Sequence, residues 1–341
     1  MELLAIQIPS PAFDPSLLIN RPTRVTDTTA TLIDNIFCNS LDGDFFNDGE
    51  IVLGVFLDLS KAFDTVNHGI LLEKLSHYGI RGVAHDWFKS YLSHRKQFVF
   101  YNNYSSNEKI VKCGVPQGSI LGPLLFLLYV NDMVNASNLL FSILFADDTN
   151  VFVTGKNINC LVDTMNKELQ YLYEWMCINK LSLNIKKTKF MLFSPRKSVR
   201  IEEDILINGI IVERVECFKF LGVFIDSHLK WKEHIHHLKS KIANGLGIIN
   251  KAKRLLSDAT LLTLYYSFIY PYFLYCIDVW GTASQELMLS LLKLQKRAIR
   301  MIKSVPIRTE SEPLFKSLKL LTIYKLYKFK VGIMMFKMFS N

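Results

Sequence analysis

The chain has 341 residues, half of them apolar, with 40 Lys and Arg against 31 Asp and Glu for a formal net charge of +9. That apolar content argues against disorder over most of the chain, and the length allows two or three domains or one large multi-lobed one. The positive balance suits nucleic acid or an anionic membrane surface as partner, although many ordinary proteins share it. Six scattered cysteines (Cys38, Cys113, Cys160, Cys177, Cys217, Cys276) form no CxxC or Cys/His cluster. This argues against a zinc site or disulfide framework and suits a reducing compartment, nuclear or cytoplasmic. The opening "MELLAIQIPSPAF" has no basic n-region and does not read as a secretory signal.

Residues 1–49 are irregular, rich in Pro, Asp, Asn and Thr. "EIVLGVFLD" (50–58) is a continuous β-branched apolar run and predicts a buried strand ending at Asp58. Helical patterns follow over 68–78 and 83–93, with Gly79 and Gly82 as stop signals. "GVPQGSILGPLLFLLYVNDM" (114–133) predicts a Gly/Pro-rich loop feeding an apolar helix. "FSILFADDTNVFV" (141–153) predicts a hairpin with its aspartates at the turn. A helix is predicted over 158–177, with Leu161, Met165, Leu169 and Leu172 on one face, then a strand over 187–193. "ILINGIIV" (205–212) predicts a hairpin pivoting on Asn208–Gly209, and 217–226 another β run. Beyond residue 230 every pattern is helical. The apolar stretch 261–280 carries five tyrosines, Pro271 and Asp278, so it reads as buried helix broken at Pro271 rather than a membrane span. Stable membrane association is not expected. The sum is an α+β fold with an all-helical C-terminal region.

Asp58 ends one predicted strand, and Asp147 and Asp148 lie at a hairpin turn ninety residues on. A bare Asp–Asp pair is more often a polar turn than a site. If the two strands are neighbours, three carboxylates converge and need a counter-charge, which divalent cations supply. Oxygen-only donors suit Mg²⁺, which keeps positions for water and substrate phosphates. Two such ions can activate a hydroxyl and stabilise a leaving pyrophosphate.

The ordered segments "FLDLSKAFDTVNH", "GVPQGSILGPLLFLLYVNDM" and "FADDTNVF" together resemble the palm of a reverse transcriptase of the non-LTR (LINE-type, jockey-like) retrotransposon class. The likeness runs from about Gly54 to the C-terminus. It implies a palm, an antiparallel sheet packed on helices, over 50–228, and a helical thumb over 229–341. It implies RNA-directed DNA synthesis from a DNA primer 3′-OH on an RNA template, using dNTPs and two Mg²⁺, with Mn²⁺ as a substitute. Asp58 matches the first metal-binding aspartate, with the Leu59 carbonyl as an extra ligand, and Asp147 and Asp148 match the paired aspartates. Phe63 matches the aromatic gate beneath the incoming sugar. Pro116, Gln117 and Gly118 match the loop along nucleotide and template. Lys187 matches the lysine that approaches the leaving pyrophosphate, though a solvated lysine reads equally well. Leu221 and Gly222, in "FKFLGV", match the hairpin that grips the primer end.

Two basic helical stretches, 231–255 and 291–304, resemble thumb helices holding a duplex by its phosphates. They put Lys239, Lys241, Lys293, Lys296, Arg297 and Arg300 on the nucleic-acid backbone, although a solvated amphipathic face is the ordinary meaning of such runs. "SLLINRPTRVTDTTATLIDNIFCN" (16–39) instead resembles the end of the endonuclease domain that precedes the polymerase in these elements. It runs into the palm strand without the fingers region. The resemblance therefore carries two expectations: a polymerase deprived of its fingers, or a nucleic-acid-binding remnant without catalysis.

Overall fold

The computed structural model describes residues 51–194, 201 and 203–339, so residues 16–39, expected to end an endonuclease domain, lie outside the described residues. These residues form two compact units, divided between Val215 and Glu216. The fold is α+β, as the sequence predicts.

The first unit is built on a five-stranded sheet, ordered β11 (Glu213–Arg214), β8 (Lys189–Phe193), β1 (Ile51–Asp58), β7 (Asp148–Gly155), β6 (Phe141–Phe145). Its centre is β1 (Ile51–Asp58), antiparallel to both β7 (Asp148–Gly155) and β8 (Lys189–Phe193). Side chains on both faces of β1 are buried, which is why its sequence is a continuous apolar run and not an alternating one. Leu53, Val55 and Leu57 point into the main core. On the opposite face Gly54 lies across from Phe152, whose ring meets Phe56 edge-on at 6.1 Å. Strand β6 (Phe141–Phe145) pairs with β7, and β11 (Glu213–Arg214) adds a parallel edge beside β8.

Helices α1 (Ala62–Thr65), α2 (His68–His77) and α3 (Val83–Leu92) follow β1. A ribbon of four two-residue strands comes next: β2 (Lys96–Gln97), β3 (Phe100–Tyr101), β4 (Tyr104–Ser105) and β5 (Lys109–Ile110). Helix α4 (Leu121–Val130) is shorter than its apolar sequence predicts, and continues as a 3₁₀ segment, Asn131–Ala136. It is apolar all round because it is enclosed, with Leu125, Phe126 and Tyr129 fully buried. The Tyr129 hydroxyl donates to the Asn179 carbonyl at 2.5 Å and accepts from the Asn67 backbone N–H at 3.3 Å. Helix α5 (Ile158–Ile178) is capped by the Asn157 side chain and buries Leu161, Met165, Leu169 and Leu172, the predicted face. Each such side chain contributes about 1.5–3 kcal/mol. The Asn208–Gly209 turn joins β9 (Leu206–Ile207) to β10 (Ile210–Ile211), both turn residues at positive φ.

The second unit begins with the hairpin β12 (Cys217–Phe220) and β13 (Val223–Asp226), which the sequence reading grouped with the palm. Its two-residue turn has Leu221 at φ 44° and Gly222 at φ 87°. Left-handed backbone is costly for leucine, and the Tyr275 hydroxyl holds the turn by donating to the Leu221 carbonyl at 2.5 Å. Asp226 then accepts backbone N–H bonds from His228, Lys230 and Trp231 and so starts α6 (Lys232–Ala252). The stretch 261–280 is three helices: α7 (Asp258–Phe268), α8 (Tyr270–Leu274) and α9 (Ile277–Trp280). Pro271 sits in the first turn of α8, where its missing N–H has no intrahelical acceptor to lose. Among the described residues no helix is long and apolar enough to cross a membrane.

Helices α10 (Gln285–Ile302), α11 (Glu312–Ser317) and α12 (Ile323–Phe339) complete the unit. Gln295 is fully buried and donates to the Tyr265 hydroxyl at 3.2 Å and the Leu321 carbonyl at 3.0 Å. Its carbonyl accepts from the Ile323 N–H at 2.9 Å, so one side chain ties three segments together. A Cβ at Gly281 would overlap the Ile277 carbonyl and the Tyr327 ring. Gly281→Ala is therefore expected to cost about 3 kcal/mol, read as a lowered urea midpoint. An unchanged midpoint would mean that α9 and α12 are not this close.

Candidate active site

The register of the central strands decides the geometry. Asp58, the last residue of β1, pairs directly with Asp148, the first residue of β7. Like charges opposite one another weaken a sheet, so this pairing is a cost the fold bears. Asp147 lies in the two-residue turn with Ala146, which adopts φ 53° and closes the hairpin between Phe145 and Asp148. The turn thus holds Ala146 and Asp147, while Asp148 already belongs to the strand. Asp148 is exposed, yet the protein around it pushes its carboxyl pKa up, and the charges of Asp147 and Asp58 push it further. The three carboxylates are not drawn into a tight cluster: among the described residues no group of three or more His, Cys, Asp or Glu side chains is arranged to hold a metal ion.

Lys187 reaches this corner, its Nζ 3.7 Å from Asp58 Oδ2, with both groups in contact with solvent. An exposed pair at that distance contributes little stability. The backbone of Asp58 is fixed from the same segment: its carbonyl accepts from the Asn184 N–H at 2.8 Å, and its N–H donates to Thr188 Oγ1 at 3.4 Å. Leu59 is buried and bridges Leu183. The neighbouring Asp58 carbonyl and Ser60 N–H make the bonds around that bridge, which leaves the Leu59 carbonyl oxygen out of them.

Phe63 and the loop 113–118 form a second group. The Phe63 ring packs on Phe126 with centroids 4.5 Å apart. Its carbonyl accepts from the Val115 N–H at 2.8 Å, and the Val66 carbonyl accepts from the Gly114 N–H at 2.7 Å. His68 Nε2 meets the Gly114 carbonyl at 2.8 Å, and Gln117 Nε2 donates to Asp64 Oδ1 at 3.0 Å. Gly114, at φ 88°, has room for no Cβ, since one would stand 2.8 Å from the Asp64 carbonyl oxygen. Pro116 uses its carbonyl to accept from the Ser119 hydroxyl at 2.8 Å, and Gly118 turns at φ 82° with Gln117 exposed beside it. The sequence reading named Phe63, Pro116, Gln117 and Gly118 but not Asp64 or His68. Their signal was available in "AFDTVNH", where a carboxylate follows the aromatic directly.

The remaining named residues belong to the second unit. Leu221 and Gly222 form the β12–β13 turn. Lys241, Lys293 and Arg297 are exposed, and Lys239 and Lys296 are partly so. Arg300 is also committed internally, its Nε donating to the Thr309 carbonyl at 2.8 Å.

Residues 9–225 match the family model described as reverse transcriptase (RNA-dependent DNA polymerase). The chain belongs to the reverse transcriptase family. The match takes in residues 16–39, so the model that covers the segment expected to end an endonuclease domain is the reverse transcriptase one. The chain is also similar to three curated Drosophila melanogaster relatives. It is 28% identical to the probable RNA-directed DNA polymerase from transposon BS over 82% of this chain and 32% of the relative. To the polymerase of mobile element jockey it is 27% identical over 79% of this chain and 30% of the relative. To the probable polymerase of transposon X-element it is 28% identical over 88% and 32%. The chain spans about a third of the length of these reverse transcriptase relatives. Among solved structures, telomerase from Candida albicans bound to a telomeric RNA fragment aligns with 88% of this chain and 56% of its own, at 13% identity and TM-score 0.46.

Proposed function

We propose that residues 50–228 are the palm and residues 229–341 the thumb of an RNA-directed DNA polymerase that extends a DNA primer 3′-OH on an RNA template. The observation that carries this reading is the direct pairing of Asp58 with Asp148 beside Asp147, in a chain of this family. Opposed carboxylates on neighbouring strands are a poor structural choice and a good hard-oxygen donor set. Asp58, Asp147, Asp148 and the Leu59 carbonyl would hold two Mg²⁺, or Mn²⁺ in their place. Those ions would supply charge stabilisation at the attacking hydroxyl and the leaving pyrophosphate.

The other groups follow from position. Lys187 Nζ carries the cation that would neutralise or protonate the leaving oxygen. Phe63, braced by Phe126, presents a ring whose bulk would exclude a ribose 2′-hydroxyl. Gln117, oriented by Asp64, keeps one amide hydrogen for sugar or triphosphate. Leu221 and Gly222 would touch the primer backbone, and the basic residues of α6 and α10 would hold duplex phosphates. Phe63→Val is expected to raise incorporation of ribonucleotides relative to deoxynucleotides by roughly ten- to a hundredfold. Single-nucleotide extension checks this, and an unchanged ratio removes the gate from Phe63.

A second reading, a nucleic-acid-binding remnant without catalysis, draws support from Ile120, which is 95% exposed two residues after Gly118. A bare isoleucine beside the candidate nucleotide loop suits a palm that has lost the fingers roofing it. One experiment separates the readings: dNTP incorporation on an RNA template with annealed DNA primer, beside Asp147→Asn. Incorporation that the substitution abolishes supports the polymerase. Duplex binding without Mg²⁺, and no incorporation by either protein, supports the remnant.

A further inference from the structure

Every residue from Lys96 to Ile110 is exposed. The two strand pairs of this ribbon bury neither face, although Phe98, Val99, Phe100, Tyr101, Tyr104 and Ile110 lie on it, from 56% to 81% exposed. A two-stranded ribbon alone is marginally stable, and a bare aromatic surface of this extent marks a contact site. Tyr101 and Tyr104 are a directly opposed pair, so both rings stand on the same face. Phe100, next to Tyr101 on β3, stands on the other face.

Cations interleave with these rings. From Arg95 to Lys112 there are four basic side chains, Arg95, Lys96, Lys109 and Lys112, against a single acidic one, Glu108. Lys96 pairs with Glu108 at 2.9 Å, while Lys109 and Lys112 are exposed and Arg95 is half-buried beside the aromatics. A protein-binding core patch is depleted in lysine, whereas single-stranded nucleic acid needs rings for its bases and cations for its phosphates. A duplex hides its base faces and could use only the cations. The foot of the ribbon is fixed by the Val111 N–H donating to the Arg95 carbonyl at 2.8 Å, directly before Cys113 and Gly114 bond to Asn67 and Val66.

We infer that the ribbon 95–112 is a stacking platform for single-stranded nucleic acid, separate from the carboxylate site and from the basic helices of the second unit. The inference rests on the proposed function only for the class of ligand and needs no polymerisation. Its test is anisotropy of a fluorescein-labelled 15-nucleotide single-stranded RNA with the full chain, in EDTA and without nucleotides. Tyr101→Ala/Tyr104→Ala is expected to weaken single-strand binding tenfold or more and binding of the corresponding duplex less than twofold. Arg95→Ala/Lys109→Ala is expected to lower the slope of log affinity against log salt by about 1.4. In Tyr101→Trp the new indole is expected to be quenched by the RNA. Unchanged single-strand affinity in the tyrosine variant overturns the inference, and so does an equal loss on single strand and duplex. A dimer in sedimentation that the tyrosine variant dissociates, with RNA affinity unchanged, would assign the ribbon to a second copy instead. Because no incorporation is measured, failure of the polymerase reading leaves this result standing.

Discussion

Asp58→Asn is expected to reduce dNTP incorporation by at least about 10²-fold while raising the thermal midpoint of the metal-free protein. The two effects have one origin. Asp58 faces Asp148 across the β1–β7 ladder, and the Asp148 carboxyl already feels the charges of both other aspartates. Removing one charge relieves that repulsion by up to about 1 kcal/mol at this exposed corner. The backbone bonds of Asp58 to Asn184 and Thr188 persist in the variant, so the local fold is kept. Mg²⁺ should therefore raise the midpoint of the parent protein and have little effect on the variant. Differential scanning fluorimetry with and without Mg²⁺, beside primer extension, reads both. An equal Mg²⁺ response in parent and variant would take Asp58 out of the metal set, whatever the activity.

Acidification from pH 6.5 to about 4 is expected to cost the second unit roughly 3 kcal/mol through a single side chain, His234. This imidazole is buried in the first turn of α6 with its ring 5.6 Å from that of Trp280. Its Nδ1 accepts from the Phe224 N–H at 3.4 Å, while Nε2 is buried without a hydrogen-bond partner. Burial, with the nearby His237, lowers its pKa from 6.5 to about 4. The folded state therefore holds His234 neutral, and protonation would also take away the acceptor that the Phe224 N–H uses. Above pH 6.5 neither state gains a proton. Between 6.5 and about 4 the unfolded chain binds one that the folded chain refuses, so stability falls as the pH falls. Urea unfolding at pH 7.5, 5.5 and 4.5, followed by tryptophan fluorescence, measures the slope. His234→Leu is expected to start less stable at pH 7.5, having lost the Phe224 bond, and then to show a flatter decline. Parallel pH profiles in the two proteins would clear His234 of the effect.

Long, strongly patterned elements were legible in the sequence because a single local rule dominates each. The β1 run, the α5 face and the Asn208–Gly209 turn all formed where their residues put them. Pro271 likewise divided the apolar stretch that length alone could have passed for a span. The ribbon 95–112 was not legible, since its strands are two residues long and its apolar residues face solvent, with no alternation toward a core. Strand β11 was missed for the same reason of length. In the site, spacing could nominate Asp58, Asp147 and Asp148, but only the strand register could show that Asp58 meets Asp148. Nor could spacing reveal that Asp64 restrains Gln117, because the two are 53 residues apart. The basic run 291–304 put Arg300 on the nucleic-acid backbone; the bond to Thr309 shows that part of its donor capacity serves the fold.

The lacing of residues 63–68 to 114–117 has a consequence for how such a site can change over generations. Phe63, Val66 and His68 grip Val115 and Gly114, and Asp64 grips Gln117, so the ring and the amide ride on one stiff block. Gly114 cannot accept a side chain that would let the halves drift apart. On the roles proposed for Phe63 and Gln117, a substitution that re-aims the sugar gate also displaces the group on the triphosphate. Selectivity for the sugar and seating of the phosphates are then inherited as one trait, and drift in either must be matched by the other.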